Sequence, residues 1–352
     1  MKIVHLINVR WFNATAWYAL RLAESGILKG DDTAIIGLTN SPIINEAKKL
    51  GIKTLEGPFT SNNPIDFYNN LISINKFLKN FECDALVCHR GEMFWLLALY
   101  QYFAKPDYKL IRVRGDVRPP TKDVFSRFFH NKCCSHLVTS AKFLENYFIN
   151  GLHTKKEHID TIYGGVNRNV FYEDIEKGNN IRSEFNFKKD DFVVGIIGRF
   201  DEVKGHKIFL RACGTAYKKG MTNLKVLLAG FPEGISVDEI NSMIKENGLE
   251  NIAVITGKRT DIQAIINSLD LGVISSLGSE AICRVAMEIM ACNKPVISSN
   301  AGVLPEIIPA EYRYNNEDYE SLANLILNKK GFIKVYDQID FYNEFLHKTH
   351  LL

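Results

Sequence analysis

The sequence predicts an α/β protein with two domains, each built on a parallel β-sheet that helices cover. Strand-like apolar runs alternate with helical runs along nearly the whole chain. This alternation stops at the glycine-containing stretch 162–167 and then starts again. The length of 352 residues, of which 46% are hydrophobic and 24% charged, suits two soluble domains of ordinary size.

Short apolar and β-branched runs predict the strands of the first half, and amphipathic runs predict the helices between them. The predicted strands are 3–9, 33–38, 52–55, 85–89, 109–113 and 136–139. Helices are predicted at 17–25, 45–50 and 66–79, and in the last of these Phe67, Leu71, Ile74 and Leu78 share one face. Strands and helices in this order indicate an open parallel sheet with helices on both faces.

The second half repeats the same pattern. Its predicted strands are 192–197, 225–229, 252–256, 269–275 and 295–299, with helices between them. We therefore predict a first Rossmann-like domain at 1–165 and a second at 166–335, followed by a helical segment at 336–352.

Two glutamates, Glu280 and Glu288, form the most informative motif of the chain. They are eight positions apart, a little over two helical turns, so a helix would bring them to nearly one face. Strand-like runs at 269–276 and 294–299 flank them, and we expect Ser279 or Glu280 to begin the helix between these strands. Glu280 would then lie at a helix N-terminus on the carboxyl edge of a parallel sheet, where α/β proteins bind ligands.

A second motif, Gly198-Arg199 followed by Lys204-Gly205, connects a predicted strand to the helix at 208–218. Arginine offers a planar fork of donors and lysine a point charge, and both suit phosphate oxygens. Glycine lets the backbone approach closely, and a helix N-terminus adds a favourable dipole. The motif is therefore typical of a loop that binds a diphosphate.

Both motifs resemble those of the retaining family 4 glycosyltransferases, which have the GT-B fold of two Rossmann-like domains facing a central cleft. The matching positions are Gly198, Arg199, Lys204, Gly205, Ser276, Glu280, Glu288, Met290, Ala291, Pro295, Val296, Ile297, Gly302 and Glu306. The resemblance extends from about Ile159 to Leu327 and is weaker in the first 150 residues. It implies that the segment 336–352 crosses back to the first domain.

The resemblance also implies roles for the donor site. Arg199 and Lys204 would hold the donor diphosphate and neutralise its charge as it leaves. Glu288 would accept hydrogen bonds from two ribose hydroxyls, and Glu280 would face the donor sugar. The implied donor-binding residues are Gly198, Arg199, Lys204, Gly230, Arg259, Ile282, Cys283 and Glu288.

The sequence departs from the family pattern at several places. Ala281-Ile282-Cys283-Arg284 replaces the usual Gly-Phe-Gly, which leaves the shape of the sugar pocket open. Arg284 is either an extra anion contact or a surface arginine. Arg259 either stacks on the nucleobase or is an ordinary exposed loop residue.

The first domain departs further, and we place the acceptor there. Asn13-Ala14 stands where the family commonly has two glycines, and Arg114-Gly115-Asp116 stands where many relatives have a histidine. Arg114 and Asp116 either contact substrate or form a charged turn, and His89 is either an acceptor contact or a packed ring. The candidate catalytic residues are Arg199, Lys204, Glu280, Arg114 and Asp116. The candidate acceptor-binding residues are Asn13, Ala14, His89 and Arg114.

Charge and composition suggest where the protein works. Up to Gly165, 21 Lys and Arg stand against 15 Asp and Glu, a net charge of +6, whereas the whole chain carries +3. This balance favours an anionic partner for the first half but is too weak for nucleic acid. The segment 121–132 mixes Lys122, Arg127 and Lys132 with phenylalanines, and is either a membrane-surface helix or a core-packed one. The seven cysteines show no metal spacing and indicate a reducing, cytoplasmic location. If the segment 121–132 is a membrane-surface helix, the protein is peripheral on the inner leaflet of the cytoplasmic membrane.

The resemblance implies an enzyme that moves a sugar from a nucleotide diphosphate sugar to a hydroxyl acceptor with retention, and we expect it to act in cell-surface polysaccharide or lipopolysaccharide biosynthesis. The expected partners are this donor, a glycan or glycolipid acceptor and an anionic membrane surface. No Asp-x-Asp metal motif is evident, and we expect neither a metal nor a cofactor. The alternatives are a GT-B enzyme with a small soluble acceptor and a nucleotide-sugar-binding protein without catalysis.

Overall fold

The computed structural model describes residues 1–59, 63–278 and 280–352, and the chain forms two compact units. Unit 1 consists of Met1–Gly165 together with Asp337–Leu352, and unit 2 of Val166–Tyr336. Among the described residues, no helix is both long and apolar enough to span a bilayer.

Unit 1 alternates strands and helices from its first residues. Its elements are β1 Lys2–Ile7, α1 Ala14–Leu28, β2 Asp32–Leu38, α2 Pro42–Lys49, β3 Lys53–Gly57, α3 Pro64–Phe81, β4 Ala85–Cys88, α4 Phe94–Ala104, β5 Lys109–Arg114, α5 Val124–Lys132, β6 His136–Thr139, α6 Lys142–Leu152 and β7 Ile159–Thr161. In the described part of the chain these strands form a seven-stranded sheet in the order β3-β2-β1-β4-β5-β6-β7. Every neighbouring pair is parallel.

Unit 2 has the same alternation around a second sheet. Its elements are α7 Ile175–Glu184, β8 Phe192–Ile197, α8 His206–Lys218, β9 Leu224–Ala229, α9 Val237–Glu246, β10 Ala253–Gly257, α10 Ile262–Ser268, β11 Leu271–Ile274, α11 Arg284–Ala291, β12 Val296–Ser299, α12 Leu304–Ile307, β13 Arg313–Tyr314 and α13 Tyr319–Leu327. As described, this sheet has six strands in the order β10-β9-β8-β11-β12-β13, all parallel.

The last helix, α14 (Gln338–Lys348), belongs to unit 1. The hydroxyl of Tyr342 donates a hydrogen bond to Asp31 at 2.7 Å, and Phe341 packs edge-on against Tyr18. Gly165 also packs closely on this helix, because a Cβ there would lie 2.6 Å from the Cα of Gln338. The end of the chain is therefore part of the core of unit 1.

Continuous apolar strands explain why both sheets are covered on two faces. In β1 the residues Ile3, Val4, Leu6 and Ile7 are all fully buried, and in β11 and β12 every residue is buried. Strands that are apolar on both sides need helices on both faces, and the charged residues are left for the loops at the strand ends. The loops that follow β8, β9, β10 and β11 at the carboxyl edge of unit 2 carry the predicted donor-binding residues, except Glu288, which lies in α11.

Candidate functional site

The loop after β8 brings Lys204 to the carboxyl edge of the sheet in unit 2. A short 3₁₀ turn spans Glu202–Lys204, and Gly205, the N-cap of α8, follows in the left-handed region with φ +68°. A Cβ on Gly205 would lie 2.0 Å from the carbonyl oxygen of Ser275, so only glycine allows this loop to pass so close to the end of β11. The hydroxyl of Ser275 donates back to the carbonyl of Lys204 at 2.9 Å.

Lys204 and Glu280 form the centre of the candidate donor site. The Nζ of Lys204 lies 2.5 Å from the Oε1 of Glu280, and the hydroxyl of Ser276 donates to the same oxygen at 2.6 Å. Glu280 is only 7% exposed. Burial opposes the charge on Lys204, but the nearby Glu280 carboxylate outweighs it, and the pKa of Lys204 is raised above its ordinary value. The ammonium group therefore stays protonated and is held in place.

Arg199 occupies a more open position in the same loop. Its guanidinium contacts Glu233 at 3.0 Å and Asp201 at 3.3 Å, and 42% of its side chain is exposed. Gly198, just before it, donates its N–H to the carbonyl of Ala229 at the end of β9, where Gly230 follows. The structure thus brings together the predicted residues of the phosphate loop, Gly198, Arg199 and Lys204, with Gly230 beside them.

The helix that carries Glu288 begins later than the sequence predicts. We expected Ser279 or Glu280 to begin it, but α11 begins at Arg284, with Cys283 before it at φ +50°; Ser279 lies outside the described residues. Glu280 therefore does not share a helical face with Glu288, and that part of the prediction was wrong. The reason is a tertiary contact: the carbonyl of Glu280 accepts the N–H of Val303 at 2.7 Å, and Gly302, at φ +55°, makes room for it.

Ile282 and Cys283 present backbone donors beside this carboxylate. Both residues are buried, and among the described residues no hydrogen-bond acceptor takes the N–H of either one. Buried N–H groups without acceptors are rare in proteins, and at the start of a helix they suit an anion or a polar ligand. Burial, followed by the charge of Glu280, raises the pKa of the Cys283 thiol well above its ordinary value, so this sulfur is a neutral thiol.

Glu288 lies in the second turn of α11, buried at 5% exposure. The Nε of Arg284 lies 3.3 Å from its Oε1, so Arg284 is an ion-pair partner of Glu288 within one helix. A buried carboxylate so close to the carboxyl edge of the sheet fits the predicted role of accepting two neighbouring hydroxyls.

Arg259 lies in the loop after β10, where two acids hold its guanidinium. It forms bidentate contacts with Glu184 at 2.6 and 3.0 Å and with Asp261 at 2.8 and 2.6 Å. The hydrogen bonds of Asp261 and Glu184 raise its pKa above the ordinary value of an arginine. Stacking of Arg259 on a nucleobase stays a prediction, and this ion-pair network gives the side chain a structural role of its own.

In unit 1 the predicted acceptor residues take up separate positions. Asn13 is the N-cap of α1, its side-chain oxygen accepts the N–H of Ala16 at 3.0 Å, and Ala14 is the first helical residue. His89 is 2% exposed, and its Nε2 lies 3.2 Å from the Nδ1 of His5. Burial, and then the neighbouring His5 and Arg112, lower the pKa of His89 well below its ordinary value. A role of these three residues in acceptor binding stays a prediction.

Arg114 and Asp116 lie at the end of β5 with partners that the sequence reasoning missed. The Nη2 of Arg114 donates to the carbonyl of Arg118 at 2.7 Å, and Asp116 lies 3.5 Å from the Nη1 of Arg90. Arg112, buried two positions before Arg114, was also missed. The sequence does contain a signal for Arg112, because this arginine stands two positions before Arg114 in an otherwise apolar strand and therefore lies on the same face.

Comparisons with known proteins show which proteins this chain is similar to. Residues 178–328 match the family model described as Glycosyl transferases group 1. A D-inositol 3-phosphate glycosyltransferase of Mycobacteroides abscessus is 26% identical over 191 residues, which are 49% of this chain and 40% of that protein. The chain thus spans less than half the length of this curated relative.

Solved structures show the fold over the full length of the chain. The Anabaena protein Alr3699/HepE in complex with UDP superposes with a TM-score of 0.82 at 19% identity and covers 100% of both chains. The apo form of the lipopolysaccharide outer core galactosyltransferase WaaB superposes with a TM-score of 0.70 at 12% identity, over 100% of this chain and 99% of that one.

The two parallel-sheet units and these likenesses define a protein of the GT-B fold, and the predicted fold class is confirmed. Residues 178–328, less than half of the chain, match the model of the glycosyl transferases group 1, and the two motifs lie within this match. The family match covers most of unit 2, the unit that holds Lys204, Glu280 and Glu288.

Proposed function

We propose that this chain transfers a sugar from a nucleotide diphosphate sugar to a hydroxyl acceptor and retains the anomeric configuration. The observation that carries the proposal is the cluster of Lys204, Glu280 and Ser276 beside the buried N–H groups of Ile282 and Cys283. A fixed cation, a carboxylate and backbone donors at one sheet edge match the needs of a sugar diphosphate: charge for the phosphates and acceptors for the hydroxyls.

Each residue has a role in this reaction. Lys204 and Arg199 bind the diphosphate and stabilise the negative charge that grows as the bond between the sugar and the phosphate breaks. Glu280 accepts a hydrogen bond from a sugar hydroxyl, and Glu288 accepts hydrogen bonds from the ribose. With retention, an oxygen of the departing phosphate takes the proton of the acceptor hydroxyl on the same face of the sugar. Two cations supply the positive charge, and we propose that the reaction needs no metal ion.

The donor is a nucleotide sugar in this proposal, and unit 2 binds it. The Anabaena structure with UDP supports this part, since it shares the whole fold at a TM-score of 0.82. Unit 1 would then hold the acceptor, with Arg114 and Asp116 as candidate contacts. The likeness to a lipopolysaccharide galactosyltransferase supports a glycan or glycolipid acceptor of cell-surface polysaccharide or lipopolysaccharide synthesis.

Release of the nucleoside diphosphate tests the reaction. The protein is incubated with UDP-, GDP- and ADP-sugars, with and without EDTA, and the released nucleotide is measured. Slow release that EDTA does not change supports the proposal. Loss of activity with EDTA would show a metal requirement, and binding of the nucleotide without any release would show a binding protein without catalysis. NMR of the anomeric proton of a transferred sugar tests retention.

We also propose that unit 1 contacts the anionic inner leaflet of the cytoplasmic membrane. The helix α5 exposes Val124 at 76% and Phe125 at 71%, while Phe128 and Phe129 pack on the core. Neighbouring helices expose further large apolar side chains, among them Ile65, Tyr68, Trp95, Tyr102 and Phe103. The basic residues Lys122, Arg127 and Lys132 are exposed on or beside α5.

Aromatic side chains next to lysine and arginine suit the interface of an anionic bilayer. Sedimentation with vesicles of anionic phospholipid, at low and at high salt, tests this contact. Binding should be salt-sensitive and should fall when Lys122, Arg127 and Lys132 are all replaced by Gln. The matched control replaces three exposed lysines of unit 2, Lys188, Lys189 and Lys245, and should bind as the wild type does. Equal loss in both variants, or no binding at low salt, would point to a soluble acceptor.

A further inference from the structure

Three arginines of unit 1 lie at the carboxyl ends of two neighbouring parallel strands. Arg112 and Arg114 lie on one face of β5, and Arg90 follows the end of β4, which pairs with β5. Two acids, Glu92 and Asp116, lie in the same loops. We call these five residues the arginine cluster. Its formal charge is +1, and the cluster lies at the sheet edge where α/β units bind ligands.

Arg112 is the buried member of the arginine cluster. It is 2% exposed, and its Nη1 donates to the carbonyl oxygens of Cys88 and Val113, both at 2.8 Å. Its Nε is buried and has no hydrogen-bond partner, and among the described residues no carboxylate forms an ion pair with it. Burial lowers the pKa of Arg112 to about 9. A buried cation without a carboxylate is costly, so an anionic ligand would stabilise it.

Arg114 shows the same arrangement nearer the surface. Its Nη2 is held by the carbonyl of Arg118, its buried Nε has no partner, and no carboxylate in the described ranges forms an ion pair with it. The two acids of the cluster both face Arg90 instead: Glu92 lies 3.1 Å and Asp116 3.5 Å from its guanidinium. Backbone carbonyls therefore fix Arg112 and Arg114 in place. The carboxylates of Glu92 and Asp116 act on them only from beyond ion-pair distance.

We propose that the arginine cluster binds a phosphate group carried by the acceptor. Guanidinium groups match the oxygens of phosphate in geometry and charge, and two that are already fixed lose little conformational freedom on binding. Arg114, part-exposed at the end of β5, makes the direct contact, and the buried Arg112 adds its charge behind it. This inference rests on the proposed function, because it assigns the anionic group to the sugar acceptor and the other phosphates to the donor.

Calorimetric titration with inorganic phosphate tests the site. The protein is first saturated with a nucleoside diphosphate, so that the loop of Arg199 and Lys204 is occupied. Wild type is then compared with Arg114→Gln and with the control Lys76→Gln, which removes the same charge from an exposed position on α3. We expect phosphate to bind the wild type and the control alike. The Kd should rise about tenfold or more in Arg114→Gln, because a charge-assisted hydrogen bond is lost.

A turnover assay shows whether the arginine cluster binds free phosphate or the phosphate of an acceptor. Donor turnover is measured with glucose 6-phosphate and with glucose, in the wild type and in Arg114→Gln. A phosphorylated acceptor is supported if glucose 6-phosphate changes donor turnover in the wild type, glucose does not, and the effect of glucose 6-phosphate is lost in Arg114→Gln. If phosphate binds but neither sugar changes turnover, the site holds free phosphate and the assignment to the acceptor is wrong.

Two results would overturn the site itself. One is absence of phosphate binding in a protein that binds the nucleoside diphosphate, which leaves the proposed function standing. The other is an equal loss in Arg114→Gln and Lys76→Gln, which indicates a diffuse charge effect. If no nucleoside diphosphate binds at all, the proposed function fails at its donor site, a result distinct from the failure of the arginine cluster. Circular dichroism of each variant verifies that it is folded.

Discussion

Lys204 and Glu280 are 76 positions apart in the sequence, and the Nζ of Lys204 lies 2.5 Å from the Oε1 of Glu280. This ion pair joins the loop after β8 to the loop after β11, the two loops that carry the two sequence motifs. Gly205 permits the approach, and the hydroxyl of Ser276 donates to the same carboxylate oxygen. The motifs are thus parts of one site, and each can be tested through the other.

Lys204→Ala should reduce kcat by about a hundredfold, because the residue stabilises charge that develops in the transition state. Arg199→Ala should have a smaller effect, since Arg199 is more exposed and already contacts two acids. The control is Lys207→Ala, at an exposed position in the same region. Steady-state kinetics measures kcat for the three folded variants and the wild type. A Lys204→Ala enzyme with normal kcat would contradict the assignment of this loop to the donor diphosphate.

Glu288→Gln should weaken nucleotide binding through the ribose. The loss of a charged acceptor for two hydroxyls should raise the Kd of the nucleoside diphosphate about tenfold or more. The effect should be smaller for the 2′-deoxy nucleotide, and comparison of the four Kd values isolates the contact. Glu246→Gln, an exposed residue of α9, is the control. Equal losses for ribose and deoxyribose nucleotides would show that Glu288 acts elsewhere.

Gly205→Ala should destabilise the protein and weaken donor binding. The left-handed backbone alone costs a non-glycine residue about 1–2 kcal/mol, and the Cβ would also lie 2.0 Å from the carbonyl of Ser275. The matched control is Gly248→Ala, which has φ +71° but open space around the Cβ. Urea unfolding should show a loss of roughly 2–4 kcal/mol for Gly205→Ala and only about 1 kcal/mol for the control. Similar losses would mean that the loop can move away from β11.

His206 should make the stability of unit 2 depend on pH. It is 1% exposed, and burial lowers its pKa to about 4; the charge of Lys204 acts in the same direction, and Asp201 opposes the shift. Because the folded pKa lies below the ordinary value of about 6.5, the unfolded chain binds the proton first. The contribution of His206 is therefore complete above pH 6.5 and is lost as the pH falls towards 4.

His206→Phe should consequently flatten the fall in stability between pH 6.5 and pH 4, by on the order of 2 kcal/mol. The control His347→Phe changes an exposed residue of α14 and should leave the slope as it is in the wild type. Urea midpoints measured at several pH values across this window supply the comparison. An unchanged slope in His206→Phe would mean that the ring is protonated in the folded protein.

Local patterns were sufficient to predict the fold class, because continuous apolar strands and amphipathic helices are visible in single segments. The strand predicted at 192–197 coincides with β8, and that at 225–229 lies within β9. The short strands β7 and β13 were missed, since two or three residues give no periodicity. The family motifs led to Lys204 and Glu280 as candidates, although their contact required the folded structure.

Two features of the candidate sites could not be read from the sequence, because both depend on distant residues. The helix after Glu280 starts four positions on, at Arg284, since Val303 binds the carbonyl of Glu280 from another loop. Which arginines of the cluster form ion pairs depends on which acids face them, and Glu92 and Asp116 both pair with Arg90. Pairing of this kind follows from side-chain directions in three dimensions rather than from spacing.

Calorimetric titration with UDP, GDP and ADP, on the wild type and on Lys204→Ala, tests the central claim most directly. The account predicts that at least one nucleoside diphosphate binds the wild type at one site per chain, and that Lys204→Ala binds it at least about tenfold more weakly while remaining folded. Absence of binding by all three nucleotides, or equal affinity in the two proteins, would contradict a donor site built on Lys204 and Glu280.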